Sequence, residues 1–328
     1  MTALTPVESV QEVAAKPIPP LSPMALAYRR FRKHKMAMFG LGLLAILSLF
    51  IMVGGFFVHG YCTPIKQELR GEAWANCADT SKKLQPPSQE NPWGTDVIGR
   101  DILARTIYGG QISLMIGVSA AFVEVFLGAL IGSIAAYYGG WIDNTLMRFT
   151  EAMLIIPSLF LLIIGARFFG KGIADVNIFG RQMSGSVLVI IMIIGLTSWM
   201  YLARIVRANI LSLRERDYVS AATALGASDF RLILNHLLPN TTAALVVAAT
   251  LGVATAILSE AYVSFLGVGV QGATATWGNM LDGAYRYLDT APWLWFFPGA
   301  MILLTVLGIN YVGDGLRDAM DPYSSKHL

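Results

Sequence analysis

Charged side chains are scarce in this sequence of 328 residues. Asp, Glu, Lys and Arg make up 14% of it and hydrophobic residues 55%, whereas about 25% of a typical soluble domain is charged. The mean hydropathy is +0.57. This composition excludes an ordinary soluble protein and favours a chain that crosses a membrane several times. The net charge is only +3 and the basic residues gather beside hydrophobic segments, so nucleic-acid binding is excluded as well.

Residues that carry chemistry are also few. The chain has four His and two Cys, and it shows no paired His, no nucleophile beside a base and no cluster of metal ligands. We therefore expect neither catalysis nor a bound cofactor in this chain. A self-sufficient secondary transporter or a membrane enzyme would need a coupling-ion site or a catalytic site, so both are weaker hypotheses.

Long hydrophobic segments are abundant instead. The clearest is 37–58, which has 22 residues and no charge. As a helix it would span about 33 Å, the thickness of the hydrocarbon core of a bilayer. Five further segments predict membrane helices at 112–138, 145–166, 186–203, 243–266 and 292–313. The sequence therefore predicts an all-α membrane protein with six transmembrane helices.

Basic residues predict the orientation of these spans. Five of them directly precede the first span: Arg29, Arg30, Arg32, Lys33 and Lys35. A second basic group lies in the connection 204–242, between the fourth and fifth spans. Because Lys and Arg are concentrated in cytoplasmic loops, we expect both termini to be cytoplasmic.

This orientation divides the chain into regions. Residues 1–36 are predicted to form a cytoplasmic tail whose first 23 residues, rich in proline, are disordered, and 314–328 form a second cytoplasmic tail. Residues 59–111 form an extracytoplasmic loop, in which Asp101 caps a short interfacial helix, 102–108, that Gly109 and Gly110 end. Residues 112–313 form a core of five helices.

The extracytoplasmic loop carries both cysteines, Cys62 and Cys77. An oxidising exterior would permit a disulfide between them. Two free thiols are an equally good interpretation of the sequence.

The connection 204–242 has strong local signals for structure. Asp217 can cap a helix that begins at Tyr218, and Gly226 can supply the left-handed residue that ends it. Ser228 can cap a second helix, which Pro239 would stop. The sequence thus predicts a helix, a sharp turn and a helix. Passive amphipathic helices lying in the membrane interface would show the same pattern.

The same connection resembles a known motif. Ala221-Ala222, Gly226 and Leu238-Pro239 fit the pattern Glu-Ala-Ala, three residues, Gly, nine residues, Ile, one residue, Leu-Pro, which marks the permease subunits of bacterial ABC importers. Ser220 stands where the acid is usual and His236 where Ile is usual. A His in this position, followed by Leu-Pro-Asn, is similar to the peptide-transporting branch of that family.

Four other segments resemble the second, C-type permease of dipeptide and oligopeptide importers. They are the basic stretch and first span at 28–44, the Gly-Thr-Asp and Gly-Arg-Asp pair at 94–101, the Ser-Phe-Leu-Gly to Trp-Gly-Asn segment at 264–279, and the carboxyl end at 313–322. The resemblance covers nearly everything after residue 24.

This resemblance implies a type I ABC importer fold in the bacterial inner membrane. The partners it implies are a homologous permease that forms a heterodimer with this chain, two ATP-binding subunits that hold ATP and Mg²⁺, and an extracytoplasmic solute-binding protein. The residues implied to couple to an ATPase are Tyr218, Ser220, Ala221, Ala222, Gly226, Asp229, Phe230, His236 and Pro239. Related importers for nickel, glutathione or another small solute share these motifs and remain an alternative.

Two acidic residues fall within or at the edge of predicted spans. Glu124 and Glu260 are candidates for the translocation path, because ionisable residues inside membranes usually face a bundle interior or an aqueous path. The alternatives are that Glu260 is solvated near the outer interface and that Glu124 forms a hydrogen bond to a neighbouring helix.

Overall fold

The computed structural model describes residues 23–170, 173–178, 181–271 and 273–321. The predicted disordered segment lies outside these residues, apart from Pro23, and so does the end of the second predicted tail, 322–328. Helices dominate the described part. They are α1 (Pro23–Lys33), α2 (Lys35–Phe57), α3 (Gly71–Ala75), α4 (Ile102–Tyr138), α5 (Gly140–Ile155), α6 (Ser158–Phe169), α7 (Ser186–Arg214), α8 (Asp217–Ala224), α9 (Asp229–Arg231), α10 (Thr242–Phe265), α11 (Trp277–Met280) and α12 (Trp293–Met320).

Two small antiparallel hairpins accompany the helices. One pairs β1 (His59–Cys62) with β2 (Gln67–Arg70), and the other pairs β3 (Val176–Ile178) with β4 (Arg181–Met183). Short 3₁₀ turns occupy Thr63–Ile65, Thr80–Lys82, Leu238–Thr241 and Ala284–Tyr287, and a π-helical turn occupies Leu232–Leu237.

Among the described residues, five stretches are long and apolar enough to cross a membrane: α2, α4, α7, the stretch 229–265 that contains α10, and α12. The predicted third span, 145–166, is not one continuous helix. The chain there forms α5 and α6, which are bent by 85° relative to each other. Pro157 causes the break, because it has no N–H and forces the residue before it out of helical geometry. Ile156 accordingly has φ −78° and ψ 122°.

Helix α4 also differs from the prediction. It runs without a break for 37 residues, so a separate interfacial helix ending at Gly109 and Gly110 is wrong. These glycines do not end the helix. They are positions inside it where other parts of the chain approach too closely for a side chain. A Cβ at Gly110 would lie 2.6 Å from the Trp277 ring, and one at Gly109 would lie 3.2 Å from the backbone of Thr276. The predicted cap is confirmed, since Asp101 Oδ1 accepts a hydrogen bond from Ala104 N at 2.6 Å.

Helices α4 and α7 pack most closely in the membrane part. A Cβ at Gly128 would lie 2.8 Å from the Leu202 side chain, and a Cβ at Gly132 would lie 2.5 Å from the Ala203 carbonyl oxygen. Such small residues let two backbones approach, which favours van der Waals contact where lipid offers no hydrophobic driving force. Helix α10 packs on α4, and α12 packs on both α2 and α10.

The two ends of the described chain meet. Arg30 Nη1 donates a hydrogen bond of 2.8 Å to the Asp321 carbonyl oxygen. His34 Nε2 lies 3.4 Å from the carboxylate of Asp318, at the end of α12. Helix α1 therefore lies against the carboxyl end of α12.

The segment before α4 folds into a compact unit. Cys62 and Cys77 form a disulfide, which decides between the two interpretations of the cysteines. Both lie in a buried cluster with Trp74 and Ile107. The Gly-Thr-Asp segment is held by Trp293, whose Nε1 donates a hydrogen bond of 3.0 Å to the Thr95 carbonyl. This unit is thus fixed to α4 and α12.

We expect loss of the disulfide to destabilise this unit. Replacing both Cys62 and Cys77 by Ala should cost about 3 kcal/mol, the chain-entropy value for a loop of some 15 residues. The urea dependence of proteolysis between residues 59 and 101 measures the effect. A reductant should act in the same way on the wild type and should leave the double variant unchanged. Two maleimide-reactive thiols in the unreduced native protein would contradict the disulfide.

The α4–α7 contact gives a second prediction. Gly132→Val should lower the stability of the purified chain by about 1–3 kcal/mol, because the new side chain meets a backbone oxygen that cannot move aside. Gly42→Val is the matched control, since a Cβ at Gly42 meets no atom within 4 Å. Thermal unfolding in detergent compares the two. Equal midpoints would show that the helices do not pack in this way.

Candidate functional site

The segment between α7 and α10 forms the predicted helix, turn and helix. We name residues 217–241 the coupling loop. Its first helix, α8, begins at Asp217, one residue earlier than predicted, with Arg216 as the N-cap. Neither Asp217 nor Ser228 caps a helix through its side chain, so that part of the prediction is wrong. Asp217 instead lies in the first turn, where its negative charge is favourable beside the helix dipole.

Gly226 ends α8 as predicted. Its φ is +80°, in the left-handed region that glycine adopts at little cost. Gly226 N donates to the Thr223 carbonyl at 2.9 Å, and Ala227 N donates to the Ala222 carbonyl at 3.1 Å. These two bonds make a Schellman motif, which is accompanied by a contact between its first and last residues. Ala222 and Ala227 indeed pack against the same buried cluster. The spacing from Ala222 to Gly226 is therefore the spacing that this turn requires.

The inner face of the coupling loop is buried against the helix ends. The fully buried members of this cluster are Ala136 of α4, Leu202, Val206 and Ile210 of α7, and Val219, Leu232 and Leu237 of the loop. Burying an aliphatic side chain contributes about 1.5–3 kcal/mol. Three loop side chains therefore attach this segment firmly to α7 and α4.

Polar contacts complete the attachment. Tyr137 Oη, at the end of α4, donates a hydrogen bond of 2.7 Å to Asp229 Oδ1 in the loop. Arg214 Nη1, at the end of α7, donates to the carbonyl oxygens of Ala136 and Tyr137 at 3.1 and 2.8 Å. Sequence reasoning found Asp229 but missed Tyr137 and Arg214. Tyr137 and Asp229 are 92 residues apart, and no local pattern indicates such a pair.

The outer face of the coupling loop is apolar and exposed. Leu225 is 89% exposed and Phe230 is 72% exposed, and Tyr218 is exposed as well. Ser220 and Ala221 lie on the exposed side of α8. Large apolar side chains that cluster on a surface mark a contact with another molecule. The loop thus has one face that is fixed to the helices and one face that is free for a partner.

Pro239 does not stop the second helix, contrary to the prediction. The chain widens into the π-helical turn, where Leu238 N donates to the Ile233 carbonyl five residues earlier, and then passes through a 3₁₀ turn into α10. The widening accommodates a proline that has no N–H to donate. His236 lies in the π-helical turn, and its carbonyl oxygen accepts a hydrogen bond of 2.6 Å from Asn240 Nδ2. The side chain of Asn240 thus supports the backbone ahead of the proline.

Glu260 is buried within the chain. It is 1% exposed, and its carboxylate accepts hydrogen bonds from Ser264 and Thr276 at 2.7 Å and from Ser113 at 3.3 Å. Ser113 Oγ in turn accepts a hydrogen bond from Trp277 N. Glu260 therefore joins α10, α4 and the segment around α11. This position does not fit the expectation that Glu260 is solvated near the outer interface.

Glu124 lies in a different environment. It is half-buried on α4, and a Cβ at Gly252 of α10 would lie 2.9 Å from its Oε2. Within the described part of the chain, no hydrogen bond or ion pair reaches this carboxylate, so the alternative of a bond to a neighbouring helix is wrong for that part. A residue that faces a path between two subunits is partly exposed when one subunit is viewed alone. Glu124 meets this condition and Glu260 does not.

Comparison with known proteins gives consistent matches. The family model described as "Binding-protein-dependent transport system inner membrane component" matches residues 128–326, and the "N-terminal TM domain of oligopeptide transport permease C" matches 22–87. The chain is 38% identical over 302 residues to the dipeptide transport system permease protein DppC of Alkalihalophilus pseudofirmus, covering 92% of this chain and 90% of that protein. It is 37% identical over 297 residues to the oligopeptide transport system permease protein OppC of Bacillus subtilis, covering 90% and 88%.

A solved structure of the MetNI methionine ABC transporter in an inward-facing conformation superposes with a TM-score of 0.48 at 20% identity, covering 66% of this chain and 96% of that one. A likeness at this level identifies neither fold nor function. The two family models and the curated relatives are decisive instead: the chain belongs to the inner-membrane permease components of binding-protein-dependent transport systems, in the branch of the dipeptide and oligopeptide permeases.

Proposed function

We propose that this chain forms half of the translocation path of a type I ABC importer for dipeptides or oligopeptides. A homologous permease completes the path as a heterodimer, two ATP-binding subunits hold ATP and Mg²⁺, and an extracytoplasmic binding protein delivers the substrate. The chain itself contributes no catalytic residue. The observation that carries the proposal is the coupling loop, which is fixed to α4 and α7 on one face and exposes apolar side chains on the other.

The coupling loop suits the transmission of force. When an ATP-binding subunit moves the exposed face of α8, the buried Val219 and the Tyr137–Asp229 hydrogen bond carry the displacement to α7 and α4. Both helices then move together, because their backbones are in contact along the glycine positions. Such a rigid connection between two sites is what alternating access requires.

Six membrane spans with cytoplasmic termini fit this function. The contact between Arg30 and the Asp321 carbonyl supports an even number of crossings, since it brings the two ends of the described chain to one side. The bent pair of α5 and α6 then counts as one span. The Cys62–Cys77 disulfide supports placing the segment before α4 outside the cytoplasm, where disulfides persist.

The function is tested by uptake into proteoliposomes that contain the complete importer. We expect import of a labelled dipeptide or tripeptide that requires ATP, the binding protein and this chain. Import of nickel or glutathione without import of peptides would assign the chain to a related importer. Uptake by this chain alone, driven by an ion gradient, would show a secondary transporter.

We predict that Gly226→Asp weakens docking of the ATP-binding subunits by at least about tenfold, because it places an unpaired charge in a packed contact. A Cβ at Gly226 meets no atom within 4 Å in the isolated chain, and Asp is one of the few residues that visit the left-handed region, so the chain itself should still fold. Co-purification of the ATP-binding subunits measures the effect. Gly226→Asn is the matched control, since Asn also adopts the left-handed conformation but carries no charge. Wild-type co-purification of the Asp variant would contradict the assignment.

We also predict different effects for Glu124 and Glu260. Glu124→Gln should change the rate or KM of peptide uptake while the complex assembles normally, because this carboxylate is only half-buried and has no hydrogen-bond partner among the described residues. Glu260→Ala should reduce the yield of folded complex, since it leaves three hydroxyl donors without their acceptor. Gel filtration and uptake kinetics distinguish the two. Unchanged uptake kinetics for the Gln variant would exclude a path role for Glu124.

A further inference from the structure

A small polar cavity lies at the opposite end of α4 from the coupling loop. Its volume is about 200 Å³, and it is lined by residues around the start of α4, by the 279–287 segment and by Leu294 of α12. At about 30 Å³ of liquid volume per water molecule, it holds six or seven waters or one small polar group. The cavity is too small for a peptide of several residues.

The charges that line this cavity do not balance. Arg100, Arg105 and Arg286 contribute three positive charges, whereas Asp96 and Asp282 contribute two negative ones. Asp96 is already occupied, because its oxygens accept hydrogen bonds from Ile98 N, Arg100 N and Arg100 Nε at 2.6–2.9 Å. One positive charge is therefore in surplus.

Arg105 is the least well paired of these arginines, because its one ion pair, with Asp96, is long. It is only 4% exposed, its Nε is 4.0 Å from Asp96 Oδ2, which is too long for a hydrogen bond, and its Nη1 donates to no atom of the described residues. A buried guanidinium that has one nitrogen without an acceptor and only a long ion pair is energetically costly. Such a group lining a cavity is typical of a site whose ligand is an anion.

We propose that this cavity receives one carboxylate, the acidic side chain of the extracytoplasmic binding protein, which pairs with Arg105 when the two proteins dock. Guanidinium and carboxylate groups match in planar, bidentate geometry, and a single Asp or Glu side chain fits the volume. Arg286 and Asp282 are exposed residues of the lining. An incoming side chain therefore meets one positive and one negative charge before it reaches Arg105.

A protein side chain is a better occupant than a free ion for two reasons. The cavity belongs to the same compact outer unit that carries the disulfide and the Trp293–Thr95 hydrogen bond, which gives a partner protein a rigid surface. The family description also names a binding protein on which transport depends. The inference therefore rests on the proposed function for the existence of this partner.

The test measures the affinity of the binding protein for the complete importer in nanodiscs. Met280 lines the cavity, so Met280→Glu should supply a carboxylate from the chain itself and exclude the external one. We expect this variant to weaken binding by about tenfold or more. Arg105→Gln should weaken it similarly. Met280→Glu retains Arg105 and adds a carboxylate to the same cavity, so it decides the question even if Arg105→Gln does not fold.

Two outer residues that do not line the cavity serve as controls. Ile65→Glu adds the same charge at a position that is 56% exposed, and Arg70→Gln removes a guanidinium from the exposed end of β2. Both should bind within about twofold of the wild type. Acetate, compared with chloride at equal ionic strength, should weaken binding to the wild type and have no effect on Met280→Glu.

Binding by Met280→Glu within twofold of the Ile65→Glu variant would overturn the proposal. If, in that case, acetate raised the melting temperature of the wild-type importer, a free anion would be the occupant and the docking role would be wrong. Failure of the wild-type importer to bind any binding protein or to import peptide is a different result. It would refute the proposed function rather than the role of Arg105.

Discussion

The close contact between α4 and α7 is the constraint on which the rest of this structure depends. A Cβ at Gly132 would lie 2.5 Å from a backbone oxygen of α7, and one at Gly195 of α7 would lie 2.5 Å from Val123 of α4. The two backbones consequently cannot slide past each other without losing contact over much of their length. The 37 residues of α4 rise about 55 Å, more than the hydrocarbon core of a bilayer. One rigid pair thus links the outer unit to the coupling loop.

Local rules predicted the parts of the structure that local forces determine. Gly226 ends α8 because only a few residues on either side decide a Schellman motif, and Asp101 caps α4 for the same reason. The lengths of the hydrophobic segments located the candidate spans, apart from the break at Pro157. The orientation that the basic cluster before α2 indicates stays a prediction; the Arg30–Asp321 contact shows only that the two described ends meet.

Where prediction failed, distant residues were responsible. Gly109 and Gly110 resemble a helix end, yet Thr276 and Trp277 occupy the space beside them and the helix continues. Pro239 is a local exception: it resembles a stop signal, but a wider turn beside it accommodates it and α10 follows directly. The contacts made by Tyr137 and Arg214 join segments that are 92 and 77 residues apart, and a single sequence carries no sign of them. The same is true of the three hydroxyls that distinguish Glu260 from Glu124.

The exposed apolar face of the coupling loop has a consequence for the fate of the chain before it meets its partners. Leu225 and Phe230 are exposed in this chain, and in the proposed importer an ATP-binding subunit covers them, so a newly inserted chain would present them to the cytoplasm. Uncovered apolar surface of this kind promotes aggregation and is recognised by chaperones and proteases. If the proposed function is right, unassembled copies would therefore be short-lived, and the amount of this subunit in the membrane would follow the supply of the subunit that covers the loop.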